Sequence, residues 1–290
     1  MRVRSRIATH VLFVKPLSPP DGISQFLRAS DNPIMIQKLL LLACLSLFSL
    51  LCMNNAHAQG GPPLITDDPG TPGDGKWEVS LGLISVSSVS GLLTDGYFQA
   101  PVIDSNYGVG KRLQLNFQTA LQIHTTPGER TYTSFGQTLI GVKWRILDQD
   151  DVGISVSTYP HVGFYPSFFS NNPPFSRTAY VFWIPVEVNR SFGPFAANFE
   201  VGYQYATDSP QVWLFGLALG YEVSKPVQVL AEIHATPTIV FSSAEVVANV
   251  GIVWSFNSSV ALIASAGTSL LEPADTPNKV LTFLGTKLNF

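Results

Sequence analysis

Fifteen polar or ionisable side chains fall on one parity of otherwise apolar, alternating runs: Lys76, Glu78, Gln114, Asn116, Gln118, Gln122, His124, Lys143, Arg145, Glu187, Glu200, Gln228, Glu232, His234 and Glu245. Successive side chains of a β-strand point to opposite faces, so a period of two gathers such residues on one face. Two kinds of chemistry suit that arrangement. The residues can line a water-filled path or a polar pocket inside a closed sheet. They can equally pair with one another across a narrow barrel, whose interior must be polar or small. The residues alone leave both readings open.

Catalysis asks for more. A serine nucleophile needs a histidine within hydrogen-bond reach and a third group to orient it. Beyond residue 58 the histidines are His124, His161 and His234. His124 with Ser134, or His234 with Ser242, are the pairs a rim site would use. Neither sits in a motif of the barrel phospholipases or deacylases. The scattered histidines also lack the spacing of metal ligands. Asp148-Gln149-Asp150-Asp151 reads as a solvated turn. Asp67-Asp68 either binds calcium or caps a turn. The expectation is therefore a non-enzyme, with no cofactor and no metal.

The elements that carry these residues read as strands. In 113–124, Leu113, Leu115, Phe117, Thr119, Leu121 and Ile123 alternate with Gln114, Asn116, Gln118, Ala120, Gln122 and His124. Phe195, Ala197, Phe199, Val201, Tyr203 and Tyr205 form a second apolar row. Trp213, Phe215, Leu217, Leu219 and Tyr221 form a third. Twelve such runs are expected, near 77–89, 97–107, 112–124, 135–146, 152–160, 178–190, 195–206, 211–222, 226–236, 244–255, 259–270 and 280–290. The connections sort by parity. Those at 108–111, 147–151, 191–194, 223–225 and 256–258 are short, whereas 125–134, 161–177 and 271–279 are long; 207–210 is a short exception among the second set. That is the rhythm of an outer-membrane barrel with short periplasmic turns and long external loops. Several rows end in an aromatic residue (Tyr107, Trp144, Tyr205, Trp254, Phe290), as interfacial girdles do. The run 280–290 ends the chain on Phe290. An apolar last strand is harmless if it pairs with the first and closes the sheet.

Composition agrees. Charged residues make up 13% and hydrophobic residues 46%, against about 25% charged in a typical soluble domain. Past residue 58 no run of about 18 apolar residues could form a spanning helix. The apolar run 39–51, with a basic flank and Ala56-His57-Ala58, reads as a signal peptide over 35–58. Residues 1–34 read as an unstructured start-site extension. Both cysteines, Cys44 and Cys52, fall in the signal. Six of the 17 Lys and Arg, and two of the 20 Asp and Glu, precede Gln59. The remaining acidic excess argues against nucleic acid as a partner, which needs a basic stripe. Residues 59–75, dense in Gly, Pro and Asp, read as a periplasmic lead or a plug in the barrel mouth. The barrel itself is expected over 76–290.

Ile65-Thr66-Asp67-Asp68-Pro69, Thr71-Pro72-Gly73 and Gly75-Lys76-Trp77-Glu78 resemble the opening of the bacterial family labelled MetA-pathway of phenol degradation. Asp104-Ser105-Asn106-Tyr107-Gly108-Val109 with Arg112-Leu113-Gln114-Leu115 is similar to that family's next recognisable stretch. Ser105 and the Gly110-Lys111 turn depart from its pattern. The resemblance implies an outer-membrane barrel, often labelled a transporter, and no enzyme activity. A last strand ending in Phe resembles the signal read by the barrel assembly machinery, which makes Phe290 the contact.

The fold class expected is all-β: a transmembrane, antiparallel, up-and-down barrel of about twelve strands with a short Gly/Pro-rich N-terminal lead. The function expected is an outer-membrane channel or transporter for small hydrophobic or aromatic solutes. The alternatives are a barrel-embedded lipid hydrolase and a structural barrel without transport. Small inward residues such as Ser80, Gly82, Gly141, Gly202, Gly216, Ala218 and Gly220 leave room for a modest pore or a ligand-sized cavity. The aromatic, Pro-rich stretch 159–175 reads mostly as an external link that folds back as a lid or meets a hydrophobic solute or lipopolysaccharide. Outer-membrane lipid, lipopolysaccharide and a small-molecule solute are the other expected partners.

Overall fold

Alternation of apolar and polar residues becomes fourteen antiparallel strands joined edge to edge in a computed structural model. It describes residues 61–90, 93–125, 131–166, 180–273 and 279–290, without the side chains of 89, 90, 93–95 and 125. The expected start-site extension, the signal peptide and the second half of the 159–175 stretch, from 167 on, lie outside those residues. The strands are β1 (Trp77–Ser90), β2 (Leu93–Val109), β3 (Leu113–Thr125), β4 (Tyr132–Phe135), β5 (Thr138–Leu147), β6 (Ser155–Thr158), β7 (His161–Phe164), β8 (Tyr180–Phe192), β9 (Phe195–Ala206), β10 (Val212–Ser224), β11 (Val227–Pro237), β12 (Ala244–Ser255), β13 (Val260–Leu271) and β14 (Lys279–Asn289).

β4 and β5 both pair with β3, and β6 and β7 both pair with β5 and β8, so each couple is one interrupted stave. The sheet is a closed barrel of twelve staves. Its seam joins the first and last strands in register from Glu78↔Asn289 to Ser88↔Lys279. Trp77 and Phe290 seal the bottom of the seam by exchanging backbone hydrogen bonds of 2.7 and 3.0 Å. Closure at the seam pairs the edges of the first and last strands, where another chain could otherwise join. The only helix among the described residues is one turn, Gln149–Val152, capped by the Asp148 side chain, in the stretch read as a solvated turn.

The second interruption falls where the ladder cannot continue. Pro160 has no N–H to donate, and the wall breaks between β6 and β7 at that point. The break is bridged by Val142 N–H to Pro160 O (3.1 Å) and Tyr159 N–H to Pro185 O (3.2 Å). Past it the strand resumes as β7, so 161–164 is barrel wall where the sequence suggested a link. β1 and β2 also run longer than expected, with Ser90 facing Leu93 in register.

Two faces result. Outward rows expose large apolar side chains, among them Leu81, Leu115, Ile184, Leu219, Ile233 and Leu284. Rings cluster at the end that carries Trp77 and Phe290. There Trp77 lies 4.8 Å from Tyr107, Phe195 4.8 Å from Tyr221, and Trp254 5.1 Å from Phe256. Tyr180, Phe182 and Tyr205 are exposed toward the far end. This outside, apolar between two aromatic rings, is the surface that lipid wets.

Candidate functional site

Inward parity brings polar residues from non-adjacent strands to one cavity, and the lead lies inside it. The chain enters at the terminal end. Gly75 N–H bonds Gly108 O (3.0 Å), Gly110 N–H bonds the Asp74 carboxylate (2.8 Å) and the Thr71 hydroxyl bonds Lys111 O (3.1 Å). A Cβ on Gly108 would stand 1.8 Å from Gly73 O, so this close backbone approach requires glycine. Further in, Gly61 N–H to Thr66 O (3.0 Å) and Leu64 N–H to Gly61 O (2.9 Å) fold residues 61–66 into a turn.

Barrel-wall side chains hold that turn from several sides. Glu232 of β11 accepts the N–H groups of Ile65 (3.1 Å) and Thr66, and an amide hydrogen of Asn249 (2.8 Å). Glu200 of β9 accepts the Asp67 N–H (3.0 Å). Lys143 of β5 binds the Asp67 carboxylate (2.7 Å) and donates to Asp68 O (2.6 Å). Ser265 donates to Pro63 O (2.6 Å). Apolar contact adds to these. Leu64 packs in a buried cluster with Ala218, Leu230, Val253, Ala261 and Ile263, with Phe283 against it. Gly216 makes room for Thr66, whose Oγ1 a Cβ at 216 would meet at 2.3 Å.

Behind the lead lies a buried ionic cluster. Lys143 is 2% exposed and Glu187 of β8 is fully buried. Their charges approach to 3.6 Å, and Glu187 also accepts from the Ser157 hydroxyl. The Lys143 ammonium stands 5.1 Å from the centre of the Tyr159 ring. From there an aromatic row runs along the wall. Tyr159 and His161 are 4.5 Å apart, and His161 stacks on Trp183 at 4.7 Å. Leu139, Leu281, Phe283, Ile84 and Val102 also line the cavity, which holds about 690 Å³ between lead and wall.

The fifteen expected residues divide three ways. Glu78, Gln114, Asn116, Gln118, Lys143, Glu187, Glu200 and His234 line this cavity, and Glu232 is buried against the lead. Gln122, His124, Gln228 and Glu245 are half-buried elsewhere on the strands. Gln122 accepts from Gln99 (3.1 Å), and Glu245 pairs with Lys279 (2.8 Å). Lys76 and Arg145 do not reach the cavity. Lys76 is exposed before β1, its backbone tied to Gly73 and Gly108. Arg145 turns to Lys111 O (2.7 Å) and Asp148 (3.3 Å) at the terminal rim.

Three important residues, Asp104, Asn106 and Lys287, were missed by the sequence reading, as was one role of Asp67. Asp104 and Asn106 share the inward parity of β2. Asn116 donates to both, at 2.6 and 2.7 Å, and Gln114 donates to Asn106 at 2.7 Å. Lys287 is 2% exposed and pairs with Glu78 across the seam (3.2 Å). Asp67 and Asp68 do cap a turn, taking the N–H groups of Asp68 (2.8 Å) and Gly70 (2.5 Å). Asp67 is at the same time the lead's ionic anchor. The rim pairs are placed too. Ser134 faces Gln122 in register while His124 faces Tyr132. The Ser242 hydroxyl bonds Thr238 (3.2 Å), away from His234 on the cavity wall.

No known family and no curated protein matches the chain by sequence. Solved structures match its fold. An outer membrane channel from Pseudomonas putida F1 aligns at 12% identity over 80% of this chain and 100% of its own, with a TM-score of 0.56. The KdgM porin (6% identity, 73% of this chain, 99% of its own, TM-score 0.45) and the CymD monoaromatic hydrocarbon channel (9%, 75%, 89%, 0.43) are more distant. The fold is that of an outer-membrane β-barrel.

Proposed function

We propose that this chain is an outer-membrane channel for small solutes, with residues 61–75 as a plug docked in its lumen. The observation that carries the reading is the contrast between the two contents of the barrel. The wall is a backbone ladder closed at its seam. The lead is held chiefly by side chains, Lys143, Glu200, Glu232 and Ser265. Side-chain contacts can be exchanged for water one at a time, whereas the ladder opens only cooperatively. Passage is passive, through space the lead now fills.

Hydrophobic or aromatic solutes are the finer part of the proposal. The Tyr159–His161–Trp183 row with Leu281 and Phe283 gives a flat ring an apolar surface to slide along. The resemblance to the phenol-degradation family points the same way. The terminal end faces the periplasm, Phe290 is the contact for the assembly machinery, and the outer rows meet lipid and lipopolysaccharide. Uptake by liposomes tests the reading. A panel of neutral solutes should enter in order of size, with phenol-sized aromatics faster than sugars of equal size. Empty-liposome rates for every solute would overturn it.

A further inference from the structure

Resting on that channel reading, we infer that the lumen is selective by charge: it admits cations and neutral solutes and turns anions away. Six carboxylates line the cavity, Asp67, Asp68, Glu78, Asp104, Glu187 and Glu200, against the two ammonium groups of Lys143 and Lys287. Glu232 adds a seventh carboxylate under the lead.

The pairing decides how much charge is left over. Lys287 serves Glu78 at 3.2 Å, and Lys143 is shared by Asp67 at 2.7 Å and Glu187 at 3.6 Å. Asp104, Glu200 and Glu232 are held by neutral donors: the Asn116 amide, the Asp67 N–H, and the Ile65 and Thr66 N–H groups with Asn249. Such bonds steady a carboxylate without cancelling its charge. Low-dielectric walls focus the field of like charges, and rings of Asp or Glu favour cations in pores. Five of the seven carboxylates belong to barrel strands, so the preference survives departure of the lead.

Two measurements test this. In planar bilayers under a KCl gradient, the reversal potential should show potassium several-fold more permeant than chloride. Asp104→Asn and Glu200→Gln should each lower that ratio, and either variant suffices if the other fails to fold. In liposomes made with the unaltered chain, glucosamine and glucose should enter several-fold faster than glucuronate, a ring of the same size. Equal permeabilities, or faster glucuronate entry, would overturn the inference and leave the channel standing. Absence of any conductance or uptake would overturn the channel reading and this inference together.

Discussion

Lys143 shows how much one residue ties together. Its ammonium is buried and reaches Asp67 on the lead, Glu187 on β8 and the carbonyl of Asp68. Removing one member of a buried ionic group leaves the others charged and unpaired, at a cost of about 3–5 kcal/mol. Lys143→Met should lower stability by about that amount, read from urea unfolding in lipid vesicles. Adding Glu187→Gln should recover part of the loss, because the orphaned charge goes with it. Full additivity of the two substitutions would show that they do not interact. The inward parity made Lys143, Glu187, Glu200 and Glu232 legible as a set. It could not show that they meet around the lead, since that depends on which strands face each other across the lumen. Lys287 was hidden for a related reason: its partner Glu78 lies beside it only once the barrel closes.

Elements divide into those that alternate cleanly and those that do not. β3, β9 and β10 follow their sequence rows residue for residue, because lipid on one side and a polar interior on the other enforce the period. Pro160 hid β7, since proline ordinarily ends a strand reading, yet the broken ladder there is bridged by Pro185 and Val142. The lead has no period at all, so its composition allowed a plug as one of two readings but gave none of the contacts that seat it. Two predictions belong here. Leu284 is half exposed on the outer face of β14. Leu284→Arg should cost about 2–4 kcal/mol in vesicle unfolding if it lies near the bilayer midplane, and less near an interface. A neutral outcome would place that row off the lipid. Gly216→Val should push against Thr66, whose side chain already fills the space. The expected outcome is a lead cut several-fold faster by protease while the barrel stays folded. An unchanged cleavage rate would mean that the lead is not seated at Gly216.

At the scale of the whole molecule, the exterior is the strongest statement. Large apolar side chains stay exposed around the barrel while Lys143, Glu187 and Lys287 are buried inside it. That inversion suits a lipid solvent and would aggregate in water. The folded chain should therefore need detergent for solubility and should migrate differently in gels before and after heating. A monodisperse, detergent-free monomer would remove the membrane from the account. Inside, the cavity of about 690 Å³ is bounded partly by the lead, so the free bore is set by where residues 61–75 sit. The most direct test of the plugged channel compares single-channel conductance of the intact chain with that of a chain lacking residues 59–75. The intact chain should give small steps and the shortened one steps several-fold larger. Identical conductance from both, or none from the shortened chain once shown to be folded, would contradict it.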